Sequence, residues 1–237
     1  MSITPASRDL YKKAIGVEYE DSILLRTIHS LNRLAPEFFA CIDTQMSDIP
    51  NCVITYTNKH ASFDTAIYQY DLRAAYLRAA MDGPTIYRCL ETDLDDATHA
   101  YVECEHGRRL IKTVYIDREH DTILGYYAIQ QKKLLHRWAS RLMDLYLDAQ
   151  QRGDDELQLV VKNMYRAGVG MLESNRPQYA KFHYFQIARS MKAHLANMIH
   201  ARLTPAVISA YTDSISLPFA DERKNNDWWK LTVIGGK

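Results

Sequence analysis

Long apolar runs are missing from this chain. Nowhere do about 18 apolar residues follow one another, which excludes a membrane-spanning helix. The amino terminus, Met1-Ser2-Ile3-Thr4-Pro5, has no basic segment leading into an apolar one, so it does not read as a signal peptide. Cysteine is scarce: Cys41, Cys52, Cys89 and Cys104 are scattered, without a CxxC pair, and read as buried or free thiols of a reducing compartment. Cys104 and His106 are both metal-ligand types, but no neighbouring ligands repeat at a zinc-site spacing. Charge excess is missing too. Twenty-nine basic residues balance 29 acidic ones, for a net charge of zero and a pI near 7.1. A stand-alone duplex-binding protein draws much of its affinity from phosphate neutralisation, so neutrality counts against tight autonomous DNA binding. It leaves room for a locally basic cleft or for a partner that supplies the grip. Internal repeats and low-complexity segments are absent, and the seven prolines are dispersed.

What is present is enough apolar material for a sizeable core: 47% of 237 residues. Residues 7–40 read as helical, with Ile23, Leu24, Ile28, Leu31 and Leu34 near a 3.6-residue period. Two strand-like segments follow at 52–56 and 66–71, then a short helix over 73–81 stopped by Asp82-Gly83-Pro84. Residues 86–127 read as β-structure, with a hairpin turning at His106-Gly107 and a further strand over 122–127. From 128 to 150 apolar residues recur at helical spacing through Leu134, Leu135, Trp138, Leu142 and Leu145. The segment Arg152-Gly153-Asp154-Asp155 breaks this helix, and a second over 156–171 completes an antiparallel hairpin. A long helix over 179–202 and a β-hairpin with Asp213 at its tip close the pattern. The order predicts an α+β fold.

Three stations carry chemistry. Asp71 ends a strand in Tyr70-Asp71-Leu72-Arg73-Ala74-Ala75-Tyr76, and Asp213 sits in Tyr211-Thr212-Asp213-Ser214-Ile215. Two carboxylates brought together from distant strands can hold a pair of Mg²⁺ ions, hard cations that prefer one or two carboxylates plus substrate phosphates. Between them in sequence, Lys162 on the second arm of the helical hairpin can meet a triphosphate as a point charge. On the first arm Lys132, Lys133, Arg137 and Arg141 share a largely polar side, with Arg141 expected nearest Lys162. Ordinary readings stand beside these: Asp71 as a helix cap, Asp213 as turn chemistry, the basic residues as a solvated face.

The motifs resemble those of the family B DNA polymerases, most closely the short phage and plasmid type. That family's first motif, Asp-x-x-Ser-Leu-Tyr-Pro, is matched by Asp71-Leu72-Arg73-Ala74-Ala75-Tyr76-Leu77, which keeps the aspartate and tyrosine. The second, Lys-x-x-x-Asn-Ser-x-Tyr-Gly, survives as Lys162 and Gly170 at the same separation, with Arg166, Ala167 and Val169 replacing asparagine, serine and tyrosine. The third, Asp-Thr-Asp-Ser, is matched by Tyr211-Thr212-Asp213-Ser214, which loses the first acid and keeps the metal-binding one. Arg189 in Ile187-Ala188-Arg189 stands where the family often has an arginine. The resemblance covers roughly residues 60–220.

It implies a palm with helical-hairpin fingers: a helical segment over 1–50, palm over 51–127, fingers over 128–172, and palm again over 173–237. It implies two Mg²⁺ (or Mn²⁺) ions on Asp71, Asp213 and the Leu72 carbonyl. Lys162, Arg141, Arg137, Arg166, Tyr76 and Gly170 would meet a dNTP, with Tyr76 excluding a 2′-hydroxyl. Arg189, Thr212 and Ser214 would meet DNA primer or template. A core tyrosine is the alternative for Tyr76. The stretch before the first motif is too short for the family's exonuclease domain, so proofreading is not expected. No Lys-x-Tyr primer grip or thumb follows Asp213, so a protein partner or a homo-oligomer is expected to hold DNA. Trp228 and Trp229 are candidate base-stacking platforms, with packing the commoner role of such residues. The expected location is the cytoplasm of a bacterial or phage-infected cell. Two other readings stay open. One is a non-catalytic DNA-binding or scaffolding subunit derived from such a polymerase, in keeping with the eroded second motif. The other is a hydrolase, for which no general base is visible at either acid.

Overall fold

A computed structural model describes residues 3–41, 47–58, 66–172, 184–221 and 229–234. Among the described residues the chain is α+β, with nine strands in an antiparallel sheet, in the order β3 (Thr85–Thr92), β6 (Thr122–Lys132), β4 (His99–Cys104), β5 (Gly107–Lys112), β1 (Val53–Thr57), β7 (Ser209–Tyr211), β8 (Ser214–Leu217), β2 (Ile67–Leu72) and β9 (Trp229–Ile234). Its contacts divide it into two compact units, Met1–Ile49 with Tyr76–Cys89 and Gln130–Met191, and Pro50–Ala75 with Leu90–Ile129 and Lys192–Lys237. No helix among the described residues is long and apolar enough to cross a membrane.

The first unit is mainly helical. α1 (Pro5–Ile15) starts where Thr4 accepts from Ser7 N and proline occupies the first turn, and it stops at Gly16, whose φ of 81° suits a residue without Cβ. α2 (Ile23–Leu34) is capped by Ser22, and α3 is Pro36–Cys41. α4 (Ala75–Asp82) follows the first motif. α5 (His136–Gln151) and α6 (Asp155–Asn163) form the helical hairpin around Gly153, whose φ is 68°. Trp138 of α5 is wholly buried, and its indole N–H donates to Ser30 Oγ of α2 at 2.8 Å, so a large apolar ring enters the core with its polar atom satisfied. At the other end of the hairpin, Asp154 accepts from Leu157 N at 3.0 Å and from Ser7 Oγ at 2.5 Å, so α1 braces the cap of α6.

The helical stretch expected over 7–40 is three helices, broken after Ile15 by the left-handed Gly16 and again at Ala35. Two further helix boundaries differ from the sequence reading. The strand before α5 runs on as β6 (Thr122–Lys132), so residues 128–132 are extended rather than helical. Tyr127 and Ile129 continue the strand, and Ile129 N donates to Thr98 Oγ1 at 2.8 Å. The second arm is also not one α-helix to residue 171. After α6 comes a π-helical turn, Met164–Gly168, and then α7 (Val169–Leu172). Thr27 of α2 lies against this turn. Its hydroxyl is 3.4 Å from Met164 O, and a Cβ added at Gly168 would stand 2.1 Å from Thr27 Oγ1. A side chain pressed into the ladder is a recognised cause of such a bulge. Gly168→Ala is therefore expected to cost about 2–3 kcal/mol as an overpacked site. Thr27→Ala in the same chain should recover much of that loss, which a double-mutant cycle by chemical denaturation measures.

The long helix is α8 (Phe185–His200); the expected start at 179–183 lies outside the described residues. Within the first unit its Gln186 is fully buried and accepts from Ile49 N at 3.1 Å.

The second unit is built on sheet. β4 (His99–Cys104) and β5 (Gly107–Lys112) form the expected hairpin, with Ala100, Val102 and Ile111 at the centre of its apolar cluster. β1 (Val53–Thr57) pairs with β5 and then with β7 (Ser209–Tyr211). β7 turns into β8 (Ser214–Leu217), which pairs with β2 (Ile67–Leu72); β9 (Trp229–Ile234) lies on β2's other side. β1 and β2, neighbours in sequence, are thus separated by the β7–β8 hairpin. Trp229 is buried, with Arg202 over its ring at 5.9 Å, so this tryptophan is a packing residue and not an exposed stacking platform. Trp228 lies outside the described residues. Arg109 of β5 shares a hydrogen bond with His200 Nδ1 at 3.1 Å, and burial, helped by Arg109 and His106, holds the His200 imidazole down to about 4.

Candidate functional site: the polar face of the second unit

Side chains directly opposite each other in antiparallel strands share a face, and alternate residues of one strand return to it. The registers give one row across five strands: Thr55, Tyr211, Ser214, Asp71, Lys230. A second row on the same face is Thr57, Ser209, Ser216, Gln69, Thr232. Every member is polar, and none is buried. The row between them, on the opposite face, is Tyr56, Ala210, Ile215, Tyr70 and Leu231, and Ala210, Ile215 and Tyr70 are buried there. Strand alternation thus separates an apolar underside from a hydroxyl-rich face carrying one acid and one lysine.

The order of strands brings the first and third motifs together. Asp71, near the end of β2, is in register with Ser214 of β8, and Leu72 N donates to Asp213 O at 2.8 Å. The Asp71 carboxylate accepts from Gln69 Nε2 at 3.0 Å through Oδ1. Thr212 N donates to Ile54 O at 3.0 Å, and Ser214 Oγ donates to Tyr211 O at 3.2 Å, so both neighbours of Asp213 are tied to the main chain. Asp71 and Asp213 are half-buried. Carboxylates are hard oxygen donors, the kind of ligand that Mg²⁺ prefers.

Backbone strain marks the same two places. Among the described residues the non-glycine residues with positive φ are Ala74 at 50° and Thr212 at 44°. One follows Asp71 by three positions, and the other immediately precedes Asp213. A left-handed β-branched residue is disfavoured by about 1–3 kcal/mol, and such residues cluster at functional sites. Thr212→Gly is accordingly expected to raise stability by up to about 1 kcal/mol, read from denaturant midpoints.

The remaining sequence-derived residues lie in the first unit. Lys162 Nζ sits 5.7 Å from the ring centroid of Tyr146 of α5, a cation–π contact. Arg137 and Arg141 of α5 are exposed, as is Arg166 in the π-turn. Tyr76, the second residue of α4, is half-buried. Tyr165 is buried and its phenol is pushed up to about 12 by desolvation, so it is neutral at working pH. Arg189 on α8 is half-buried and donates from Nη1 to Ile49 O at 3.2 Å. Gly170 is exposed, and an added Cβ would meet nothing within 4 Å. Among the described residues no packing requirement accounts for glycine there.

Sequence reasoning missed Gln69, Ser216, Thr232 and Lys230. The alternation of β2 and β8 was the available signal, but it identifies a face only once the partner strands are known. No protein-family model matches the chain, and no curated protein matches it either.

Proposed function

We propose that this chain is a minimal nucleotidyltransferase of the family B DNA polymerase type, adding dNTPs to a 3′-hydroxyl. The observation that carries the reading is the juxtaposition of the first and third motifs: Asp71 is in register with Ser214, and Leu72 N donates to Asp213 O, so the two acids come from neighbouring strand ends. The polar face around Asp71 and the strained residue in each motif add to it.

In this reading the sheet is a palm and the α5–α6 hairpin is the fingers. Asp71, Asp213 and the Leu72 carbonyl would hold Mg²⁺ or Mn²⁺, and such a pair of ions supplies charge neutralisation at the attacking and leaving oxygens. The protein's own part in phosphoryl transfer is mostly position and charge. Lys162, with Arg137, Arg141 and Arg166, would neutralise the triphosphate. Tyr76 would pack under the sugar and Gly170 would admit the nascent base pair. Thr212, Ser214 and Arg189 would contact DNA. The neutral net charge argues for a protein partner or a second copy to hold the duplex.

The test is incubation of the purified chain with labelled dNTPs and Mg²⁺ or Mn²⁺, with and without primer–template. Incorporation of dNTPs in preference to rNTPs is expected, and Tyr76→Ala should relax that preference. Gly170→Ala should leave stability unchanged or raise it by about 0.5–1 kcal/mol, since helical alanine is favoured over glycine, yet lower incorporation. The second reading, a non-catalytic DNA-binding or scaffolding subunit, is favoured by the eroded second motif. It predicts DNA retention without incorporation, unchanged by loss of Asp71.

A further inference from the structure

A different cluster lies in the second unit. Cys104 ends β4, His106 sits in the β4–β5 turn, and His200 ends α8. One ligand atom from each, a sulfur and two ring nitrogens, lies within 4.8 Å of the others. We infer that Cys104, His106 and His200 form a binding site for a borderline-soft divalent cation of the Zn²⁺ class, distinct from the oxygen-donor site at Asp71 and Asp213.

The donor set decides the class of metal. One thiolate and two imidazoles suit Zn²⁺ or Co²⁺, whereas Mg²⁺ prefers oxygen ligands. Zn–S bonds of about 2.3 Å and Zn–N bonds of about 2.0–2.1 Å put tetrahedral ligand atoms roughly 3.3–3.7 Å apart. A cluster bounded by 4.8 Å needs a contraction of about an ångström, within reach of side-chain rotation. Three protein ligands leave the fourth position for water or another small ligand.

The backbone around the three residues is fixed independently of any ion. Thr55 N donates to His106 O at 3.0 Å. Gly107 presses against β1 so closely that an added Cβ would lie 2.3 Å from Val53 O. Asn197 Nδ2 donates to Leu110 O at 2.9 Å and ties the last turns of α8 to β5. The His106 ring packs edge-on to Tyr56 at 4.7 Å and to His200 at 5.5 Å. An aromatic cluster alone would be a sufficient reason for the two histidines. It gives no reason for the Cys104 sulfur to converge on them.

Arg109 sets the proton arrangement. It donates to His200 Nδ1, so the neutral ring carries its proton on Nε2. Binding through Nε2 moves that proton to Nδ1 and displaces Arg109, which has Asp121 as a second partner at 3.5 Å and a buried Nε without one. The Cys104 thiol, which donates to Gly107 O at 3.4 Å, gives up its proton to solvent as the metal–sulfur bond forms.

The test is titration of the chelator-stripped full chain with Co²⁺, then Zn²⁺. The expected result is a thiolate-to-cobalt charge-transfer band in the near ultraviolet that saturates at one thiolate-bound ion per chain. Zn²⁺ should abolish the band, and a large excess of Mg²⁺ should not. Cys104→Ser should remove the band. His200→Gln should weaken binding by more than the roughly 10–100-fold typical of second-shell losses. Absence of the band in the folded wild-type chain, or its persistence in Cys104→Ser, overturns the assignment. The wild-type result does not depend on any variant folding, and failure here leaves the proposed phosphoryl-transfer chemistry untouched.

Discussion

Asp71→Asn and Asp213→Asn are each expected to reduce dNTP incorporation by about a thousandfold or more while leaving the fold in place. Metal-borne charge stabilisation contributes several kcal/mol to a transition state, and about 1.4 kcal/mol is a factor of ten in rate. Asparagine keeps the volume of the side chain and an acceptor for the Gln69 amide, but it removes the charge that would hold the ions. Asp71 is half-buried on a polar face, where a substitution of equal shape shifts stability by only about 0.5 kcal/mol. The two readouts therefore separate: activity should collapse and the melting temperature should scarcely move. Parallel loss of both would mean that these acids are structural.

Gly107→Ala should do the reverse, costing about 3–5 kcal/mol of stability through two additive effects. At φ 122° the residue occupies a backbone region that other residues enter at a cost of about 1–3 kcal/mol. The added Cβ would also lie 2.3 Å from Val53 O, and a main-chain carbonyl in a paired strand cannot rotate aside as a side chain would. Against a typical total of about 5–15 kcal/mol, this is a large fraction. Since Gly107 follows His106, the variant should also lose Co²⁺ binding. Urea unfolding of the variant beside wild type gives the cost directly.

How much of this was legible depended on how local each cause is. α1, α2 and the β4–β5 hairpin carry their signals within a few residues: Thr4 and Pro5 at one end and Gly16 at the other, Ser22 before the apolar period, Gly107 in the turn. The end of β6 is hidden in the sequence because Leu134, Leu135 and Trp138 continue an apolar pattern into α5, masking the change of period at Lys132. The π-turn was not legible at all: Thr27, the side chain packed against it, belongs to a helix far earlier in the chain. The insertion of β7–β8 between β1 and β2 is likewise a long-range pairing, and it is what brings Asp213 beside Leu72. The Cys104–His106 pair has no further ligands at a zinc-site spacing in the sequence. Its third member, His200, arrives from the end of a distant helix.

The central claim is tested most directly by primer–template extension with labelled dNTPs, using the chelator-stripped full chain before and after Mg²⁺ or Mn²⁺ is restored. The account predicts no product without the ion, product with it, and none from Asp71→Asn or Asp213→Asn in either case. No incorporation by the folded wild-type chain under any of these conditions, or equal incorporation by the two variants, would contradict it.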